Sequence, residues 1–490
     1  MTSPAASKSG NQWQYPTSRD QRLRQCHNHR LRRAQTKPLA PKEDELKLHP
    51  DAAASFNARA NALLAQLTPM PLGERPQGFR PNVHISAKLS EQDVISPIEA
   101  TRIDFSGRPL ARYFEYGPSS LGFEGESYKE FEKLVEAVQR TAAFQRAVSE
   151  KRIADIAMDW FKAVKRLATQ ASFSAYITET CSREIDDHKV AVPIALLSVE
   201  CPLPLGRTTI EPITEAVVTS WFQPMLERAV EEQREVIETN IARKRKKLQG
   251  YSAAMVIVRA EKERAEEIAL AEADVACGLL RFFSPASLTS RMNSYCVPLG
   301  QEHIQRDHVG SFRDGRLVSW REAMRASHQM HWVISSAEIH RMRTTLLDAL
   351  SAMYEDPRTD FHKRIIDALL LYSRVSVATE LPSKLILLLA ALESLLLRNQ
   401  NEPIQQNLSE RLSRIAGKDL PERKRILAVS REAYGLRSRF LHHAERIDDI
   451  TLLDAFMLYA WRGLFTIVRS CNKFETLDLF LQHLDDLKLR

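Results

Sequence analysis

The sequence predicts a mainly α protein: a helical bundle at the C-terminus, preceded by a long helical hairpin and by a mixed α/β N-terminal region. Three observations lead there. Glycine is scarce, 16 residues in 490, about half the usual share of roughly 7%, and a glycine-poor chain favours helix. Beyond Asp356-Pro357 the apolar residues recur every three or four positions to the end of the chain, the spacing of one helix face. Residues 69–127 are instead cut by prolines and glycines into short apolar runs, as strands and turns require. With 44% hydrophobic and 27% charged residues, the composition is that of a globular protein, and the length predicts two to four domains.

Residues 1–50 read as a basic disordered tail. Residues 1–37 hold eight Lys or Arg against the single acid Asp20, which accounts for the whole formal charge of +7. The segment is polar, contains Pro4 and Pro16, and has no sustained apolar period, so disorder is expected. Such an arm could attract nucleic acid without sequence preference; a solvated, dispensable extension is the simpler reading, since a charge run alone specifies little. Residues 51–211 form the mixed α/β region. The stretch 51–67 suits a helix capped by Asp51. Strands are expected at Val83–Leu89 and Ala111–Tyr116, and helices at about 127–148 and 150–170. Val190–Glu200 is apolar and β-branched, but Pro193 cannot donate to a ladder, which predicts an edge strand or an irregular segment.

Residues 212–356 hold the hairpin and a connecting region. Val218, Phe222, Met225, Leu226, Ala229, Val230, Val236 and Ile237 follow a helical period. Gly250 then punctuates, and a second helix is expected to run to about Phe282. The basic run Arg243–Lys247 closes the first arm, where cations complement the helix macrodipole; a phosphate backbone is the other partner such a run could take. Residues 284–316 read as loop. Residues 357–490 form the bundle, with helices expected at about 360–378, 382–398, 406–416, 421–435, 437–445, 449–471 and 476–488.

Several chemistries lack their usual signatures. There is no G-x-x-x-x-G-K-[ST] loop, no G-x-G-x-x-G after a strand, no H-E-x-x-H and no G-x-S-x-G. None of the six cysteines, at 26, 181, 201, 277, 296 and 471, forms a C-x-x-C pair, which argues against a disulfide framework and a thiolate zinc site. The apolar run Leu385–Leu392 is eight residues long, far below the roughly 18 that span a bilayer. No N-terminal apolar stretch marks a signal peptide. The expectation is a soluble, cytoplasmic protein with no membrane partner. Histidines cluster at 303, 308, 328, 331 and 340, and His328 and His331 with Glu338 make a metal site conceivable. Acids and thiolates at matching spacing are missing, however, so structural histidines are the simpler reading.

The most informative segment is Tyr434-Gly-Leu-Arg437-Ser438-Arg-Phe-Leu-His442-His443. An apolar helix upstream carries an acid, Leu-Ala-Ala-Leu-Glu393-Ser-Leu-Leu. Asn407-Leu-Ser-Glu-Arg411-Leu and Ile415-Ala-Gly lie between them. In this ordered set, over roughly 358–490, the chain resembles the HEPN superfamily, and specifically its Apea-like domains. The family signature is an Arg, four to six residues, then a His. Arg437 with His442 fits, and so does Arg437 with His443. Family members commonly place a small residue after the His, whereas this chain has His443 there, so both histidines stay candidates.

The resemblance implies a metal-independent endoribonuclease needing no cofactor, with RNA as partner and a homodimer that brings two motifs together. It further implies an antiviral or toxin-like role. Arg437 and His442 would be catalytic, with Glu393, Tyr434, Ser438 and His443 in support. The residue types suit the chemistry. Attack of a 2′-hydroxyl on the adjacent phosphate needs a proton acceptor, and histidine titrates near neutral pH. The phosphate oxygens gain charge, and arginine offers them a permanently charged planar fork. On a regular helix, however, residues five apart point about 140° from each other, so a turn or a second subunit must bring them together. The alternatives are a non-catalytic RNA- or nucleotide-binding adaptor that uses the bundle for dimerisation, and a purely structural bundle in which Arg437 pairs with Glu393.

Overall fold

Aromatic side chains organise the first folded part of the chain. The computed structural model describes residues 46–70 and 100–487, apart from 105, 107, 118, 303–305, 325–330 and 400. Helix α1 (Pro50–Leu64) leads into β1 (Thr68–Pro69), β2 (Ala100–Ile103), β3 (Pro109–Tyr116) and β4 (Ser119–Glu124). These strands form an antiparallel sheet of order β1-β4-β3-β2. Helices α2 (Gly125–Gln139), α3 (Ala142–Ala147), α4 (Glu150–Lys165) and α5 (Phe173–Glu184) follow. Phe123 of the sheet stacks on Phe131 at 5.4 Å and meets Phe161 edge-on at 5.0 Å, geometries that aromatic quadrupoles favour. The strand expected at Ala111–Tyr116 lies within β3. Three expectations need correction or fall outside. His49, not Asp51, caps α1, accepting from the Asp51 amide while Asp51 sits in the first turn. The helix expected over 127–148 is two helices, because Thr141 adopts extended backbone between them. Val83–Leu89 lies outside the described residues.

The middle of the chain departs most from expectation. Strands β5 (Asp186–Ile194), β6 (Leu197–Val199), β7 (Leu203–Leu205) and β8 (Thr208–Pro212) precede helices α6 (Glu215–Arg228) and α7 (Glu231–Leu248). The second arm of the predicted hairpin then begins as a strand, β9 (Ser252–Ala260), and only afterwards becomes helix α8 (Lys262–Arg281). The reason is burial on both faces. Strand β9 is central in the antiparallel sheet β5-β9-β8-β7, so its residues run apolar without alternation, and such a run has no period that separates strand from buried helix. Gly250, at φ 81°, makes the left-handed turn into it. The hairpin that exists is α6 packed on α7, and it leaves Met225, Val230 and Val236 exposed. Pro193 sits on edge strand β5, opposite Ala253, the place where a missing donor does least harm. The basic run ends α7, with Arg245, Lys246 and Lys247 in its last turn.

Residues 306–324, read in part as loop, form a two-stranded ribbon. Strands β10 (Arg306–Arg313) and β11 (Arg316–Met324) pair antiparallel. Asp314 and Gly315 both take positive φ, 52° and 73°, as a two-residue type I′ turn demands. Strand β12 (Trp332–Ile334) then pairs in parallel with β6.

Helices α9 (Ser336–Met342) and α10 (Asp348–Glu355) lead into the bundle: α11 (Asp360–Ser373), α12 (Leu381–Leu396), α13 (Ile404–Ala416), α14 (Leu420–His443), α15 (Ile450–Ser470) and α16 (Leu477–Asp486). Leu385, Leu388, Leu389, Leu392, Leu395 and Leu396 of α12 are buried. Each such side chain contributes about 1.5–3 kcal/mol, and Leu392→Ala would cost about 2–5 kcal/mol by opening a cavity. The stretch Ile450–Lys473 is long and apolar enough to cross a membrane by length and composition; its Leu453, Phe456, Met457, Ala460, Leu464 and Ile467 are buried in the bundle. One continuous core runs from Ile194 in β5 through Leu279 and Leu280 in α8 to Leu484 in α16, across the sequence break at Asp356-Pro357.

Polar contacts stitch the segment after α8 to this bundle. Trp461 Nε1 donates to the Phe282 carbonyl at 2.9 Å, and the Tyr372 hydroxyl to that of Ser287 at 2.5 Å. Asp454 accepts from Thr289, from the amide and hydroxyl of Ser290, and from Arg291. Buried Lys384 donates to the carbonyls of Met292 and Val375 and to Asn293 Oδ1, at 3.2, 3.1 and 2.8 Å.

Candidate active site

Helix α14 carries most of the residues singled out above. Asp419 caps it by accepting from the Glu422 amide, and it runs unbroken for 24 residues. It stops at Ala444, which takes the left-handed conformation at φ 53°. The two helices expected at 421–435 and 437–445 are therefore one. Gly435 does not break it: a mid-helix glycine costs about 1 kcal/mol relative to alanine but keeps its hydrogen bonds. Only Ile426, Ser430 and Ala433 of α14 are fully buried, so the last two turns stand at the rim of the bundle.

Arg437, Tyr434 and Glu393 come together there. The Arg437 guanidinium carbon lies 5.5 Å from the Tyr434 ring centroid, and its Nη1 meets the Tyr434 hydroxyl at 3.3 Å. The two residues are three apart on one helix and share a face. Glu393 enters from α12, which packs on α14. Burial pushes the Glu393 carboxyl above its ordinary range, and the positive charge of Arg437 pulls the other way without cancelling it. Glu393 Oε1 and Arg437 Nε are both buried, and both lack a hydrogen-bond partner among the described residues. Ser438 is half-buried beside Arg437.

The histidines lie elsewhere on the same helix. His442 and His443 are exposed in its last turn, with ring centroids 6.5 Å apart. In an unbroken helix His442 points about 140° from Arg437, and His443 about 120° on the other side. A single chain therefore does not bring either histidine to the Arg437 guanidinium, and no turn intervenes to do so.

Two features went unread in the sequence. Arg411, quoted in the motif but given no role, is a buried staple. It donates to the Leu396 carbonyl, to Glu402 and to Asp485, closing the α12–α13 loop onto α16. Its place on the inward face of α13, between Leu408 and Leu412, was the available signal. Lys384 is the second, a cation inside the apolar face of α12. The histidine cluster is dispersed among other partners. His331 Nε2 meets Ser198 Oγ at 2.7 Å, His308 lies 3.7 Å from Glu322, and Glu338 completes the capping box of α9. His303 and His328 lie outside the described residues. Among the described residues, no group of three or more His, Cys, Asp or Glu is arranged to hold a metal.

No family model, curated protein or solved structure matches the chain.

Proposed function

We propose that the protein is a metal-independent endoribonuclease of HEPN type, in which two copies of the chain join their α14 helices. The observation that carries this reading is the state of Arg437. Its guanidinium is half-buried on the Tyr434 ring and, among the described residues, has no carboxylate bound to it and no hydrogen-bond partner for Nε. That is a cation held in place for an oxyanion from outside the chain. His442 and His443 supply proton transfer from the exposed end of the same helix. Their angular offset from Arg437 is met by pairing Arg437 of one copy with a histidine of the other. In the reaction the 2′-oxygen forms a bond to phosphorus as histidine takes its proton. The bond from phosphorus to the 5′-oxygen breaks and that oxygen gains a proton. The products are a 2′,3′-cyclic phosphate and a 5′-hydroxyl end. The reading extends to a toxin-like or antiviral role in the cytoplasm.

The test is cleavage of total cellular RNA in EDTA by purified wild type, Arg437→Ala and His442→Ala, with light scattering to confirm that all three share one oligomeric state. Cleavage by wild type alone, leaving cyclic phosphate ends, supports the nuclease. Equal cleavage by all three sinks this site. No cleavage by any, with binding unchanged, favours the adaptor.

A further inference from the structure

Helix α14 has a second face, turned away from Arg437. By helical geometry Lys424, Ala428, Arg431, Gly435 and His442 fall within about 60° of one another, and about 120–180° round the helix from Arg437. Lys424, Ala428, Arg431 and His442 are exposed, as are Arg425 and Arg439 on the flanks of this stripe. Among the described residues, Lys424, Arg425 and Arg431 have no carboxylate bound to them, while Arg439 pairs with Glu445 at 3.1 Å. Of the two acids in α14, Glu422 is taken by Arg462, and Glu432 lies about 80° round the helix from Lys424. Neighbouring α13 exposes the neutral Gln405 and Gln406 beside it.

Helix stability does not account for these cations. The macrodipole favours positive charge at a helix C-terminus, whereas Arg423, Lys424 and Arg425 sit in the first two turns of a helix that starts at Leu420. Packing does not account for Gly435 either. A Cβ there would meet only the tip of Arg439, with Nη1 at 3.4 Å, an ordinary contact. Alanine would therefore fit and would hold the helix better. What the glycine supplies is a shallow place one turn from Arg431 and one turn from Arg439, where a backbone from outside can approach closely.

We propose that this outer face of α14 carries the sugar–phosphate backbone of RNA. Lys424, Arg425 and Arg431 take phosphates, Gly435 gives the strand room, and the stripe ends at His442, about 27 Å from Lys424. Four cations against one acid suit a polyanion; a second copy of the same face would set like charges against each other. The inference rests on the reading of the protein as a ribonuclease and adds how the strand arrives. Backbone held on this face of one copy runs up to its His442, where Arg437 of the other copy completes the proposed site.

The test uses full-length protein and a fluorescent 2′-O-methyl oligouridine 12-mer, which lacks the attacking hydroxyl and so reports binding alone. Wild type should bind in fluorescence anisotropy. Lys424→Gln/Arg431→Gln should lower the slope of log affinity against log salt by about 1.4, roughly 0.7 for each lost phosphate contact. Gly435→Leu changes no charge; it should weaken binding about tenfold by holding the backbone off the helix, with a melting temperature at or above that of wild type. On cleavable RNA the double variant should raise KM and leave kcat unchanged. Far-UV circular dichroism checks that the variants fold. Absence of wild-type binding, or an unchanged salt slope in the double variant, overturns the proposal. So does a change of mass in light scattering by Gly435→Leu with RNA affinity intact, which would make the face a protein contact. Stripe-dependent binding by a wild type that cuts no RNA defeats the nuclease reading and leaves this one standing. Cleavage that needs Arg437 but binds RNA equally well in the stripe variants does the reverse.

Discussion

Glu393 and Arg437 sit beside each other between α12 and α14, each with one buried polar atom that nothing among the described residues satisfies. The carboxyl is raised by burial more than the guanidinium lowers it, so its ionised form carries a cost in the folded state.

That cost has a sign in pH. A carboxyl raised in the folded state contributes stability that is full below its unfolded pKa and is lost as pH rises through the folded value. Glu393→Gln removes the charge without changing shape, so its melting temperature should exceed that of wild type at pH 7. The difference should vanish near pH 4, where wild type is itself protonated. A lower melting temperature at pH 7 would mean that the attraction to Arg437 outweighs burial.

The proposed site, shared between two copies, makes a prediction about mixtures. Arg437→Ala and His442→Ala homodimers should each be inactive on RNA. Subunits exchanged between them should recover about a quarter of wild-type activity, since half the dimers are mixed and one of two sites in each is whole. Recovery absent from verified mixed dimers would place both residues in one chain or neither in the site.

Lys384 is held by three neutral acceptors, and burial lowers its pKa from 10.5 to about 8. Between those values the unfolded chain binds more protons than the folded one, so this group makes stability rise with pH across that window. Lys384→Met should erase that slope in denaturant titrations at pH 8 and 10. It also strands the Met292 and Val375 carbonyls and Asn293 Oδ1, at a cost of about 3 kcal/mol. An unchanged midpoint would show that the three acceptors are readily resatisfied.

Arg411 is 1% exposed and binds two carboxylates. Burial alone would raise Glu402 and Asp485, but their hydrogen bonds to Arg411 and Arg398 hold both below the ordinary range. Their contribution is present above the unfolded carboxylate pKa and fades as pH falls through the folded values. Arg411→Ala should cost about 3–5 kcal/mol at pH 7 and less in acid, measured by urea denaturation at both. Equal losses at the two pH values would assign Arg411 a packing role alone.

The sequence spoke clearly where one face of a helix is buried. Leu389, Leu392 and Leu396 of α12, and Leu453, Phe456, Ala460, Leu464 and Ile467 of α15, fall on inward faces as their spacing predicts, whereas Ile386, expected in the same stripe, is only half-buried. It was ambiguous at Ser252–Ala260, because a strand covered on both faces shows no alternation. The ribbon was legible in principle: Asp314-Gly315 between Phe312 and Leu317 is a hairpin signal, obscured by its exposed, charged strands. At the site, the grouping of Glu393, Tyr434 and Arg437 follows from spacing and one helix contact. The unbroken course of α14 through Gly435 does not, since a glycine marks a helix end as often as it is tolerated within one.

The stitching of residues 282–298 to α11, α12 and α15 makes the bundle a poor candidate for transplantation. A fragment starting at Pro357 would lose the Phe282 carbonyl that Trp461 binds, the partners of Asp454, and two of the three acceptors that keep Lys384 in the core. It would also bare the apolar surface that meets Leu279 and Leu280. The six C-terminal helices are thus not a cassette that folds by itself in a new host chain. Any exchange of this domain between proteins must cut upstream of α8, taking the helix and its trailing strap along with the bundle.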